Sequence, residues 1–216
     1  MGITVAAAFV LGVAGIVAGV LARQMLGGLR RGVRVRAPVC EVAIGGLWAL
    51  TGGLLGIGAQ ASRWLPMLLG LAWLGVAAGL VDLRYSRLPD AMTLPAAGVA
   101  PLLLLPLGVG AVGRGLLGGC VAVVGYGAVH LARPAALGLG DVKLAASLGT
   151  VLGGVSWGAP AIAAALAAMG TAVVALVRAC IGGLPRRATV PHGPSMLAAS
   201  WLVTMVAAVG ATRAPP

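Results

Sequence analysis

Residues 136–149, ALGLGDVKLAASLG, set an aspartate and the chain's only lysine at the head of a short apolar run. Gly138, Gly140 and Pro160 bound that run, and counting it as a membrane-spanning helix fixes the helix number to within one. The same decision fixes the side on which Asp141 emerges. The reading of the rest of the chain follows from this stretch outward.

Composition decides the class. Of 216 residues, 60% are hydrophobic and only 9% are charged, against roughly 25% charged in a soluble domain. Mean hydropathy is +1.07. About 20 apolar residues cross a hydrocarbon core of about 30 Å. The chain therefore has room for about six to eight spans with short connections and none for a sizeable soluble domain. The expected fold is an all-α, polytopic membrane helix bundle, one integral-membrane domain over residues 1–216 in contact with the lipid bilayer.

Breaks at charges, prolines and glycines divide the chain into eight apolar runs: 2–22, 39–59, 65–83, 91–109, 114–132, 141–157, 159–181 and 194–212. No basic stretch precedes the first run, which reads as a retained helix rather than a cleaved signal. Pro95, Pro101 and Pro106 interrupt the fourth. Cytoplasmic loops collect Lys and Arg. The connections after runs one, three, five and seven, with the edges of the adjoining runs, hold Arg23, Arg30, Arg31, Arg34, Arg36, Arg84, Arg87, Arg133, Lys143, Arg178, Arg186 and Arg187. Only Arg63, Arg114 and Arg213 fall on the other side, so the odd connections are expected in the cytoplasm and both termini outside. The net charge of +11 accordingly reads as topology and headgroup contact rather than nucleic-acid binding.

Small residues in GGLLG at 52–56 and GRGLLGG at 113–119 suit close helix packing in lipid. Cys40, Cys120 and Cys180 stand far apart without a CxxC pair and read as small apolar fillers. His130 and His192 form no HExxH pattern, so a zinc site is not indicated. His130 is expected at the connection after run five, and His192 in a turn before run eight. No GxxxxGK loop and no Ser–Lys or Ser–His pairing stands out.

Only four carboxylates remain: Glu41, Asp82, Asp90 and Asp141. Each sits in or beside a spanning helix, where a charge costs a few kcal/mol and needs a stated reason. Glu41 starts run two near the Arg30–Arg36 cluster, a favourable helix N-terminus for an anion. Asp90 follows Pro89 before a helix, an N-cap position; Asp141 also suits a cap, which Ser or Thr would fill as well. Asp82 is placed near a helix C-terminus, where the dipole disfavours an anion, with Arg84 and Arg87 as nearby compensating charges. By parity of the runs, Asp82 and Asp141 emerge on the same side at similar depth. Two carboxyls sharing a site hold one proton between them. Such a pair splits an amide with water, one member as base and the other as acid, with neither metal nor cofactor.

GLGDVKLAASLG resembles the GxGDxKL segment of the type IV prepilin peptidases, GxGD aspartic membrane peptidases. VDLRYSRLPDAMTLP, residues 81–95, resembles their other segment, an aspartate followed seven positions later by Pro and then Asp or Asn. The resemblance covers about residues 65–181, a peptidase core holding both motifs. It implies an aspartic endopeptidase of the bacterial inner membrane, working at the cytoplasmic face. Its partner would be a prepilin or pseudopilin precursor, trimmed of a short basic leader ahead of an apolar segment. On the resemblance, Asp82 and Asp141 are the catalytic pair. Gly138 and Gly140 match the motif glycines that permit close backbone approach, Lys143 matches the family lysine, and Pro89 and Asp90 complete the first motif. Longer members carry a cytoplasmic insertion with two CxxC pairs and also N-methylate with S-adenosylmethionine. The short connection ARQMLGGLRRGVRVRAP, residues 22–38, has no cysteine pair, so methyltransferase activity is not expected. The alternative from another class is a small proton- or cation-coupled transporter using the same aspartates, which predicts carboxylates near mid-membrane and broken helices there.

Overall fold

The computed structural model describes residues 2–29, 32–134, 137–181 and 190–212. Eight helices follow one another: α1 (Gly2–Gly28), α2 (Val39–Gly56), α3 (Leu65–Tyr85), α4 (Asp90–Leu103), α5 (Val109–Ala132), α6 (Leu139–Val155), α7 (Ala159–Cys180) and α8 (Gly193–Gly210). No strand occurs among the described residues. Each of the eight apolar runs is one helix. Seven helical segments are long and apolar enough to cross a membrane, and the chain is a multi-pass membrane protein. The exception is α6, the run that opened the sequence reading, with 17 residues.

Contacts at helix ends show that successive helices alternate in direction. At one end the α1 residue Arg23 meets Glu41 of α2, Lys143 of α6 meets Asp90 of α4, and the start of α8 meets Asp82 of α3. At the other end Thr4 Oγ1 bonds Gly56 O, Arg114 bonds Gly154 O and Thr212 bonds Ala59 O. Arg30, Arg31, Arg186, Arg187 and Arg213 lie outside the described residues; the remaining cations keep the asymmetry, with Arg63 and Arg114 at the second end.

Glycine lets two helix pairs close tightly. A Cβ on Gly19 of α1 would stand 2.6 Å from Glu41 Cα, and one on Gly52 of α2 would stand 2.5 Å from Ala7 O. Between α5 and α6, a Cβ on Gly118 would stand 2.7 Å from Gly149 O. Lipid offers helices no hydrophobic drive to associate, so contact between backbones supplies the attraction. Helix α6 packs against α4, α5, α7 and α8 and is buried on nearly all sides from Leu144 to Gly154. Tryptophans add polar ties: Trp73 Nε1 donates to Ala18 O, and Trp201 Nε1 to Leu68 O, each at 3.2 Å.

The fourth run ends earlier than its apolar length suggests. Pro106, without an N–H, sits in a 3-10 turn over Leu105–Leu107, and Gly108 at φ +96° turns the chain into α5. Of the cysteines, Cys40 is packed inside, whereas Cys120 and Cys180 lie on outward faces and fill no core space.

Candidate active site

Helix α3 stops because Ser86 adopts a left-handed conformation, φ 49°, its N–H bonding Asp82 O at 2.7 Å. That stop leaves Asp82 in the last turn of α3. Three residues on, Pro89 in extended conformation (ψ 132°) launches α4 at Asp90. Gly138, also extended, launches α6, with Asp141 in its first turn. The ends of these three helices enclose a cavity of about 270 Å³ lined by Asp82, Arg87, Asp90, Gly138, Asp141 and Lys143, among others. The two aspartates that parity placed on one side thus share a polar cavity.

Asp82 is 4% exposed. Its Oδ2 accepts the backbone N–H of Gly193 at 3.2 Å. Neither Arg84 nor Arg87 pairs with it among the described residues; the partner of its carboxylate is the start of α8. The first N–H groups of a helix lack intrahelical partners and carry positive partial charge. A buried carboxylate is a fitting acceptor for one of them.

Asp141 stands three residues after the cap position, so it is not itself the N-cap. Its Oδ2 accepts the N–H of Gly138 at 3.3 Å, the back-bonding half of a capping box. The N-cap reading of Asp90 is likewise corrected. Pro89 holds that position, and the Asp90 carboxylate instead accepts Lys143 Nζ at 2.6 Å, both side chains partly exposed. That ion pair spans α4 and α6 at the cavity and gives Lys143 its place. Glu41 pairs with Arg23 Nε at 2.6 Å, because the glycine contacts bring α1 beside the start of α2.

The two motif glycines differ. A Cβ on Gly140 would lie 3.1 Å from Leu88 Cβ, so α6 approaches the α3–α4 connection closely there. A Cβ on Gly138 would meet nothing nearer than 3.6 Å. His130, in the last turn of α5, places Nδ1 2.7 Å from Leu137 O, beside the connection leading to Gly138. Helices α3 and α6 run unbroken, with their carboxylates in end turns, unlike the mid-membrane carboxylates and broken helices that a transporter predicts.

The sequence reading placed α8 as the eighth run but did not assign it a part in the site. Its contribution was signalled only by VPHGPS at 190–195, where a proline just inside an apolar run marks a helix start on the same side as Asp82. Which backbone N–H meets which carboxylate is a tertiary fact, invisible in the spacing.

The profile of the type IV leader peptidase family matches residues 68–185, more than half of the chain. No curated protein and no solved structure gives a significant match.

Proposed function

The chain belongs to the type IV leader peptidase family, and on that premise we propose that it is an aspartic endopeptidase whose catalytic pair is Asp82 and Asp141. The observation that carries this reading is the shared cavity: two carboxylates from helices with two spans between them line one polar space at the arginine-rich end of the bundle. In the proposed reaction the pair holds a single proton. The ionised member takes a proton from a water molecule, whose oxygen adds to the scissile carbonyl carbon. The protonated member donates a hydrogen bond to the carbonyl oxygen, then delivers its proton to the leaving nitrogen as the C–N bond breaks. The carbonyl side leaves as a carboxylic acid and the nitrogen side as a free amine.

The proposed substrate is a prepilin or pseudopilin precursor, cut between a short basic leader and its apolar segment. The proposed setting is the bacterial inner membrane, with the cavity open to the cytoplasm. Most of the cations lie at that end, which supports the orientation. The Lys143–Asp90 pair is assigned to holding the first turn of α6, and with it Asp141, against the start of α4. Gly140 serves the same closeness through Leu88.

The test is leader removal from a coexpressed precursor by Asp82→Asn and Asp141→Asn variants that insert at wild-type levels. Each variant is expected to leave the precursor uncut. Normal processing by either one refutes the pair.

A further inference from the structure

Outside the matched segment, which ends at residue 185, the start of α8 touches the carboxylate that the proposed reaction uses. A Cβ on Gly193 would lie 2.7 Å from Asp82 Oδ2 and 3.3 Å from Leu88 Cδ1. The Gly193 N–H donates to that same oxygen at 3.2 Å. The residue is therefore confined to glycine by the closeness of the contact. The N–H also answers a defect of position: Asp82 ends α3, where that helix's own dipole opposes a negative charge, whereas the start of α8 favours one.

His192 holds this start in place. Its Nδ1 lies 2.7 Å from Thr171 Oγ1 of α7, and its ring centroid lies 6.3 Å from that of Tyr126 on α5. Thr171 has one hydroxyl proton, and its Oγ1 is placed to donate it to Ala167 O at 2.9 Å. The Thr171 oxygen then accepts from His192, which carries its proton on Nδ1. Burial keeps the imidazole neutral by pushing its pKa below the ordinary 6.5. In turn the His192 carbonyl accepts the Met196 N–H at 3.1 Å, closing the first turn of α8.

We infer that the His192–Gly193 start of α8 is a third part of the active site: Gly193 supplies the backbone donor that seats Asp82, and His192 is the positioning residue that fixes this donor from α5 and α7. This inference rests on the peptidase reading. A seat of this kind acts on the chemical step and leaves substrate binding alone. A displacement of about 1 Å at a reacting group costs up to about 100-fold in rate.

The experiment measures kcat and KM separately with the full chain in detergent. The substrate is a purified precursor whose basic leader ends in Gly before about 20 apolar residues. Gly193→Ala is expected to lose about 100-fold in kcat, and His192→Ala about 10-fold, with KM unchanged. His192→Asn, whose amide can still donate to Thr171, is expected to recover most of the loss. If Gly193→Ala fails to insert, the two His192 variants decide. A His192→Ala enzyme with wild-type kcat overturns the inference, as does a His192→Asn enzyme impaired equally. Asp82→Asn runs alongside: wild-type cleavage there overturns the Asp82/Asp141 pair on which the inference rests, whereas an inactive Asp82→Asn beside unimpaired His192 and Gly193 variants overturns the positioning role alone.

Discussion

Replacing Gly118 with alanine tests the packing on which the site is mounted. The added Cβ would stand 2.7 Å from Gly149 O and 2.8 Å from Gly153 Cα. Carbon atoms rest at about 3.5–4.0 Å, so α5 and α6 must part locally by about 0.7 Å or more. Such overpacking costs about 1–3 kcal/mol. Gly125, on the same helix, is the control, since a Cβ there meets nothing within 4 Å. Gly125→Ala gains only the helix preference of alanine over glycine, about 0.5–1 kcal/mol. Gly118→Ala gains the same preference, so the two variants should differ by the overpacking alone, about 1–3 kcal/mol. Unfolding in mixed micelles titrated with SDS reads the difference directly. Equal midpoints for Gly118→Ala and Gly125→Ala would refute the tight seam. Because Asp141 rides on α6, the Gly118 variant is also expected to lose peptidase activity while the Gly125 variant keeps it.

Other expectations follow from single contacts. The partly exposed Asp90–Lys143 pair contributes at most about 1 kcal/mol to stability. Asp90→Asn should barely move the unfolding midpoint, and a large loss there would mean the pair is deeper than its geometry implies. Trp73→Phe removes the donor to Ala18 O and should cost about 1 kcal/mol, read in the same titration. For His192, the folded pKa lies below the unfolded 6.5, so below that pH the unfolded chain binds a proton that the folded chain refuses. Stability is then untouched by this group above about pH 6.5 and declines as pH falls beneath it. His192→Asn should flatten that decline in thermal unfolding profiles, and identical slopes in the two proteins would contradict the buried neutral imidazole.

The number and order of helices were legible because a span announces itself by length and hydropathy. The apolar run 65–83 became Leu65–Tyr85 and the run 159–181 became Ala159–Cys180. Even the short run at 141–157 declared itself through the glycines before it. The fourth run misled at its far end, since hydropathy does not register that Pro106 has no N–H to give. Parity of the spans put Asp82 and Asp141 at one end without any contact being known. The partners of the charges were not legible. Asp90 looked like a cap because Pro89 precedes it, yet a lysine 53 positions later holds it. Glu41 was read as an anion at a favourable helix N-terminus, and the glycine faces of α1 and α2 give it Arg23 as a partner that spacing does not reveal. The role of Gly193 depends on an oxygen 111 positions away, and only the assembled bundle sets that distance.

The brevity of α6 has a consequence for the membrane around it. Seventeen residues rise about 25 Å at 1.5 Å each, roughly one turn short of a hydrocarbon layer about 30 Å thick. Trp157, outward-facing just beyond its C-terminus, is the kind of side chain that settles at headgroup level. With that end moored, the whole shortfall falls at Asp141. The bilayer would then dimple there or water descend to meet the carboxylate, and on the proposed function hydrolysis would take place in a wet notch beneath the lipid surface.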